Sequence, residues 1–115
     1  MKLFKVGYKM GANEFKTTEE GFLLNYQEWR LEFAGSIARI HNITLTDAHW
    51  EVISTMQKFY QEFERLPSMR IWINYLRREL SPEKGNSTYL HQLFPNQPIH
   101  TICKMAGLPK PPHCM

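Results

Sequence analysis

The sequence predicts a mainly α-helical, α+β fold: a compact bundle of about five helices, preceded by an N-terminal β-hairpin and followed by a flexible C-terminal arm. Three observations predict it. Apolar residues recur at helical spacing from residue 26 to Met105, beginning with Trp29, Phe33, Ile37 and Ile40. Prolines, glycines and capping residues divide that stretch into short segments. On either side the pattern changes, to short β-favouring runs before Gly21 and to a proline-rich tail after Gly107.

The elements follow in order. Residues 3–8 and 13–18 are β-favouring runs around Lys9-Met10-Gly11-Ala12, whose Gly11 supplies a turn, so residues 1–20 read as a hairpin. Asn25 is placed to cap a first helix over 26 to about 41, with Glu28 three residues later at capping-box spacing. Thr46 or Asp47 caps a second, in which Trp50, Ile53, Phe59, Tyr60 and Phe63 form a broad apolar face up to Leu66. After Pro67, Ser68 caps a third helix carrying Met69, Trp72, Ile73, Leu76 and Leu80. A Ser-Pro-Glu-Lys-Gly loop at 81–85 precedes a short helix from Ser87 to Phe94, ended by Pro95. Pro98 opens the last helix, through Met105, and Gly107 closes it. The helical body thus spans 26–106. Prolines at 109, 111 and 112 forbid a helix over 107–115 and favour an extended arm.

Size and charge exclude several functional classes. At 115 residues, with 43% hydrophobic and 13% aromatic content, the chain 1–115 reads as one domain able to bury about two thirds of its unfolded surface without metal or disulfide staples. A multidomain enzyme is excluded. The net charge of +3 makes no strong case for nucleic acid. The longest uncharged apolar stretches fall well short of the roughly 20 residues that span a bilayer. Lysines interleave the N-terminal apolar residues, against a cleaved signal peptide, so a cytoplasmic location without membrane attachment is expected.

The two cysteines, Cys103 and Cys114, both fall in the last 13 residues. In a reducing compartment such a pair reads as chemical more than structural. Cys114 is penultimate, on an arm that local sequence cannot fold into anything protective. A thiol there is either reachable by another protein or an incidental surface cysteine, and position alone holds these readings level. Lys110 and His113 favour the thiolate, while the terminal carboxylate opposes it. Cys103 falls on the last helix beside Ile99, Ile102 and Ala106, where a free cysteine is most often a small buried hydrophobe. The two sulfurs meet only if the arm folds back.

Other candidates carry less. The five histidines have no zinc-finger or HExxH spacing, so no metal site is expected. No glycine-rich phosphate loop is present, and no cofactor is called for. Arg70 lies in the first turn of its helix, at the positive end of the dipole, an unfavourable place for a cation unless it serves an anion or thiolate nearby. Residues 46–80 also admit a helix-turn-helix reading, a DNA-binding regulator using Arg77-Arg78; Glu51, Glu62 and Glu64 in the same helices and the small net charge argue against it.

With those residues in place, the chain resembles the DsrC/TusE family of sulfur-carrier proteins. The resemblance rests on Gly107-Leu108-Pro109-Lys110-Pro111 with the penultimate Cys114, on Gly85-Asn86-Ser87-Thr88-Tyr89-Leu90 with Leu93-Phe94-Pro95, on Asp47-Ala48-His49-Trp50, on Pro67-Ser68-Met69-Arg70, and on Glu20-Gly21. It covers the chain from about residue 44 onward; the first 40 residues match only loosely.

The resemblance implies a sulfurtransferase-type carrier whose Cys114 accepts sulfur as a persulfide. It makes Cys103 the second redox cysteine found in part of the family, and Arg70 the arginine near which the arm docks. It implies a donor complex of TusBCD or DsrEFH type. The acceptor is then the thiouridylase of tRNA wobble-uridine 2-thiolation in a TusE-like branch, or dissimilatory sulfite reductase in a DsrC-like branch, where the two cysteines form a trisulfide. Cys103 points to the DsrC-like branch. Pro112-His113 and Met115 depart from the usual two-cysteine pattern and are compatible with a divergent relative that keeps only the carrier function.

Overall fold

The computed structural model describes the backbone of residues 9–10 and 13–14, and the chain in full from 15 to 112. Two short strands, β1 (Lys9–Met10) and β2 (Asn13–Glu14), pair antiparallel, Lys9 opposite Glu14 and Met10 opposite Asn13. The predicted first strand at 3–8 lies outside the described residues. Lys9 and Met10, expected in the turn, are paired instead. Beyond Glu14 the chain leaves the ladder, and only a single bridge joins Thr17 to Leu23. The predicted hairpin over 1–20 is therefore not supported. The chain between Thr18 and Phe22 closes a tight turn of its own, with Gly21 at φ +94° and the Thr18 N–H donating to the Phe22 carbonyl at 2.8 Å.

The predicted first helix divides. Asn25 caps only a 3₁₀ turn at Tyr26–Glu28, its side chain accepting from the Gln27 N–H. Trp29 and Arg30 are extended, and α1 runs from Leu31 to Ile40. The break turns Trp29 out of the helical repeat, and its indole N–H reaches the Met105 carbonyl at 2.8 Å.

Helix α2 (Asp47–Phe63) starts at Thr46 as expected, but the reciprocal cap is a histidine: the Thr46 N–H donates to His49 Nδ1 at 3.1 Å. The opposite ring nitrogen, Nε2, lies 2.9 Å from the Leu93 carbonyl. Carbonyls only accept, so Nε2 carries the proton and ties α2 to Leu93, 44 residues on. Glu64 enters the left-handed region at φ 55°, and α2 stops at Phe63 instead of reaching Leu66. Helices α3 (Met69–Glu79), α4 (Ser87–Leu93) and α5 (Pro98–Met105) follow, with Ser68, Asn86 and Pro98 at their starts. Among the described residues no helix is long and apolar enough to cross a membrane.

The core joins Phe33 and Ile37 of α1, Ile53 and Met56 of α2, Trp72 and Leu76 of α3, Leu90 of α4 and Ile102 and Met105 of α5, each under 2% exposed. Helix α5 packs against α1, α2 and α4 and is buried on nearly every side. Its polar Thr101 and Lys104 are buried with Ile99, Ile102, Cys103 and Met105, and this enclosed helix carries the arm.

Candidate functional site

The end of α5 fixes the root of the arm. Gly107 sits at φ +78°, its N–H donating to the Lys104 carbonyl at 3.2 Å, while the Leu108 N–H donates to the Cys103 carbonyl at 3.0 Å. This is a Schellman closure, with Leu108 and Cys103 both fully buried as its apolar contact. The carbonyls it leaves open are met by side chains: Met105 accepts from Trp29 Nε1, and Ala106 from Gln57 Nε2 at 3.0 Å. A Cβ on Gly107 would lie 2.6 Å from Trp29 Cδ1. Glycine is thus required by conformation and by space together.

Beyond Leu108 the chain emerges. Pro109 and Lys110 are exposed, Pro111 is buried and Pro112 exposed. Lys110 Nζ pairs with Glu20 Oε2 at 3.0 Å, and this contact holds the Glu20 carboxyl below its ordinary range. Cys114 lies outside the described residues.

Cys103 is a free, buried thiol, and burial pushes it up to about 12. At neutral pH it is protonated and has no thiolate to offer. The small-hydrophobe reading holds in this conformation. Arg70 is exposed, and among the described residues no hydrogen bond or ion pair holds its guanidinium. Its helix α3 is not among the principal neighbours of α5. The structure therefore does not bring Arg70 and Cys103 together.

Among the described residues no three His, Cys, Asp or Glu side chains are grouped to hold a metal ion. The Arg77-Arg78 step is occupied internally: Arg77 Nε donates to the Gly85 carbonyl at 2.8 Å, and the Arg78 guanidinium lies 5.4 Å from the Tyr75 ring centroid.

Nothing local in the chain announces the roles of Trp29, Gln57 or Lys104. Trp29 and Gln57 act through single bonds to carbonyls 76 and 49 residues away. Lys104 is nine-tenths buried beside Phe22, its ammonium 5.4 Å from the ring centroid.

These features define a class: small helical proteins in which a buried last helix delivers a proline-rich, cysteine-bearing C-terminal segment from a rigid root. The chain belongs to the family described as DsrC like protein, whose model matches residues 9–115. It is similar to a protein named sulfurtransferase TusE homolog from Haemophilus influenzae, 44% identical over 102 residues, covering 89% of this chain and 94% of the relative. Sulfurtransferase TusE of Sodalis glossinidius is 39% identical, with 93% and 99% covered. Among solved structures, DsrC of Allochromatium vinosum superposes with a TM-score of 0.87 at 34% identity, covering 99% and 100% of the two chains. The oxidized gamma-subunit of dissimilatory sulfite reductase, DsrC, from Archaeoglobus fulgidus superposes at 0.77 with 29% identity, covering 94% and 98%. The DNA-binding alternative finds no support in these relatives or in the engaged Arg77-Arg78 step.

Proposed function

We propose that this chain is a cytoplasmic sulfur carrier, a single domain needing no cofactor, which loads sulfur on Cys114 and passes it along a relay of the TusE type. The Cys114 thiolate attacks the outer sulfur of a donor persulfide; the donor S–S bond breaks, the donor leaves as a thiolate, and Cys114 holds the persulfide. An acceptor thiolate then takes that outer sulfur and releases Cys114 as a thiolate, with no net oxidation in either step. The donor is a complex of TusBCD or DsrEFH type. The acceptor is a thiouridylase acting on tRNA. Arg70 serves as the cationic contact for the arm or its thiolate.

One observation carries the choice of a single-cysteine carrier. Cys103 is sealed in the core with its thiol held protonated, which leaves Cys114 as the chain's other cysteine. A two-cysteine cycle with dissimilatory sulfite reductase is the second reading. It is favoured by the presence of Cys103 eleven positions before Cys114 and by the likeness to the Archaeoglobus fulgidus gamma-subunit, and it requires α5 to open.

Intact-mass measurement after incubation with a persulfide donor tests the choice. One added sulfur that disappears in Cys114→Ser and survives in Cys103→Ala supports the single-cysteine carrier. Loss of acceptance in Cys103→Ala favours the two-cysteine cycle.

A further inference from the structure

We infer that the groove lined by Glu20, Phe22, Pro109 and Lys110, with His100 and Lys104 against the Phe22 ring, is the docking surface for an acidic segment of the protein that exchanges sulfur with Cys114; the inference rests on the carrier reading above.

The face is built around one ring. Phe22 is met edge-on by His100, with ring centroids 5.0 Å apart, and the Lys104 ammonium lies 5.4 Å from its centroid. Glu20 is the carboxylate of this group, and Lys110 already pairs with it at 3.0 Å. Lys104 is left nine-tenths buried, with no hydrogen bond or ion pair among the described residues. A lysine stem enters a core readily, but its ammonium gains most from a carboxylate or carbonyl. Burial pushes Lys104 down from its ordinary value; the same cause, with Lys104 and Lys110 beside it, lowers His100. His41 is lowered by burial, then by Lys104 and His100. Lys104 and Lys110 are the cations of this group and Glu20 its carboxylate, already paired with Lys110, so an incoming carboxylate would supply Lys104 with a partner.

Shape supports the same occupant. A groove of about 520 Å³ lies beside the arm root, walled by Phe22, Leu24, Tyr26, Tyr60 and Pro109, with Glu20 and Lys110 at its rim. It suits an extended segment with apolar side chains between acidic ones. Position links it to the chemistry. Cys114 is four positions beyond Lys110, a reach of at most ~14 Å, so Cys114 stays close to a partner seated here.

The test measures binding of full-length protein carrying Cys114→Ser, which excludes covalent capture, to the TusBCD-type donor complex of the same organism. The charge change Lys110→Glu is made on the surface, and Lys104→Met keeps the buried stem while removing the charge; matching thermal melts check both folds. The expected result is a Kd raised ~10-fold or more in each variant, and an affinity in the parent that weakens as salt is raised from about 0.05 to 0.3 M. Affinities within about twofold of the parent in folded variants would overturn the docking face. A different outcome separates the two ideas: if a small-molecule persulfide loads wild-type Cys114 but the donor complex neither binds nor loads it, the relay reading fails.

Discussion

The indole of Trp29 and the backbone of Gly107 occupy one place: the ring covers the glycine so closely that a Cβ there would stand 2.6 Å from Cδ1, while the same indole's N–H holds the Met105 carbonyl at 2.8 Å. A residue expelled from the first predicted helix therefore closes the last one. The arm begins where the N-terminal and C-terminal segments are locked together.

Trp29→Phe separates the two roles of that ring. Packing is largely kept but the donor is lost, leaving the Met105 carbonyl short of a partner in a part-buried position. The expected loss is about 1–3 kcal/mol, with Trp29→Ala costing more. Urea denaturation followed by far-ultraviolet circular dichroism measures both; equal stability of Trp29→Phe and wild type would show that the bond to Met105 contributes nothing.

Gly107→Ala meets two penalties, a left-handed φ of +78° worth roughly 1–2 kcal/mol and the clash with Trp29. Because the second depends on the indole, the two sites are coupled. Gly107→Ala should cost less in a Trp29→Ala background than in wild type, by about 0.5–3 kcal/mol in a double-mutant cycle. Strict additivity would mean that conformation alone makes glycine necessary.

Gly85 is constrained by space instead. Its added Cβ would stand 2.7 Å from the Arg77 backbone nitrogen and 2.8 Å from the Ile73 carbonyl, neither of which moves without unwinding α3. Gly85→Ala is expected to lower the melting temperature by several degrees, as an overpacking of ~1–3 kcal/mol does in a domain of this size. Arg77→Ala loses the bond to the Gly85 carbonyl and should cost about 0.5–1.5 kcal/mol. An Arg77→Ala variant of unchanged stability would argue that this arginine is not a structural residue.

What could be read from the chain beforehand was local. Ser68, Asn25, Thr46 and Gly107 announce helix ends through bonds within three residues and Pro98 through its fixed φ, and the structure uses each at a helix terminus or 3₁₀ turn. The exit of Trp29 and Arg30 from the first helix was not legible, because Trp29 fits the apolar repeat and its partner is 76 residues away. The end of α2 at Glu64 was hidden for another reason: a non-glycine residue in the left-handed region carries no sequence mark. At the site, the cysteines and Lys110 could be singled out by type and place. The burial of Lys104 and the contact between Lys110 and Glu20 depend on how the turn before Phe22 meets α5, which no periodicity records.

Cys103 makes the sharpest prediction about pH. Its folded thiol is raised to about 12, whereas an unfolded cysteine titrates near ~8.5. The contribution is therefore complete below the unfolded value. As pH rises past it, the unfolded chain ionises while the folded chain keeps the proton, and stability falls by up to about 1.4 kcal/mol per pH unit until the folded value is reached. Tyr75, also raised by burial, adds to this alkaline loss, and Lys104, lowered, opposes it, so wild type alone cannot isolate the thiol. Comparison with Cys103→Ala does, in a Cys114→Ser background. At pH 7 the alanine variant should be the less stable, by roughly 1 kcal/mol for the lost sulfur contacts. That deficit should shrink through pH 9 and reverse by about pH 10. Parallel stability curves from pH 7 to 10, or rapid labelling of Cys103 by a thiol reagent in the folded Cys114→Ser protein, would show that this sulfur is open to solvent and return it to the chemistry of the arm.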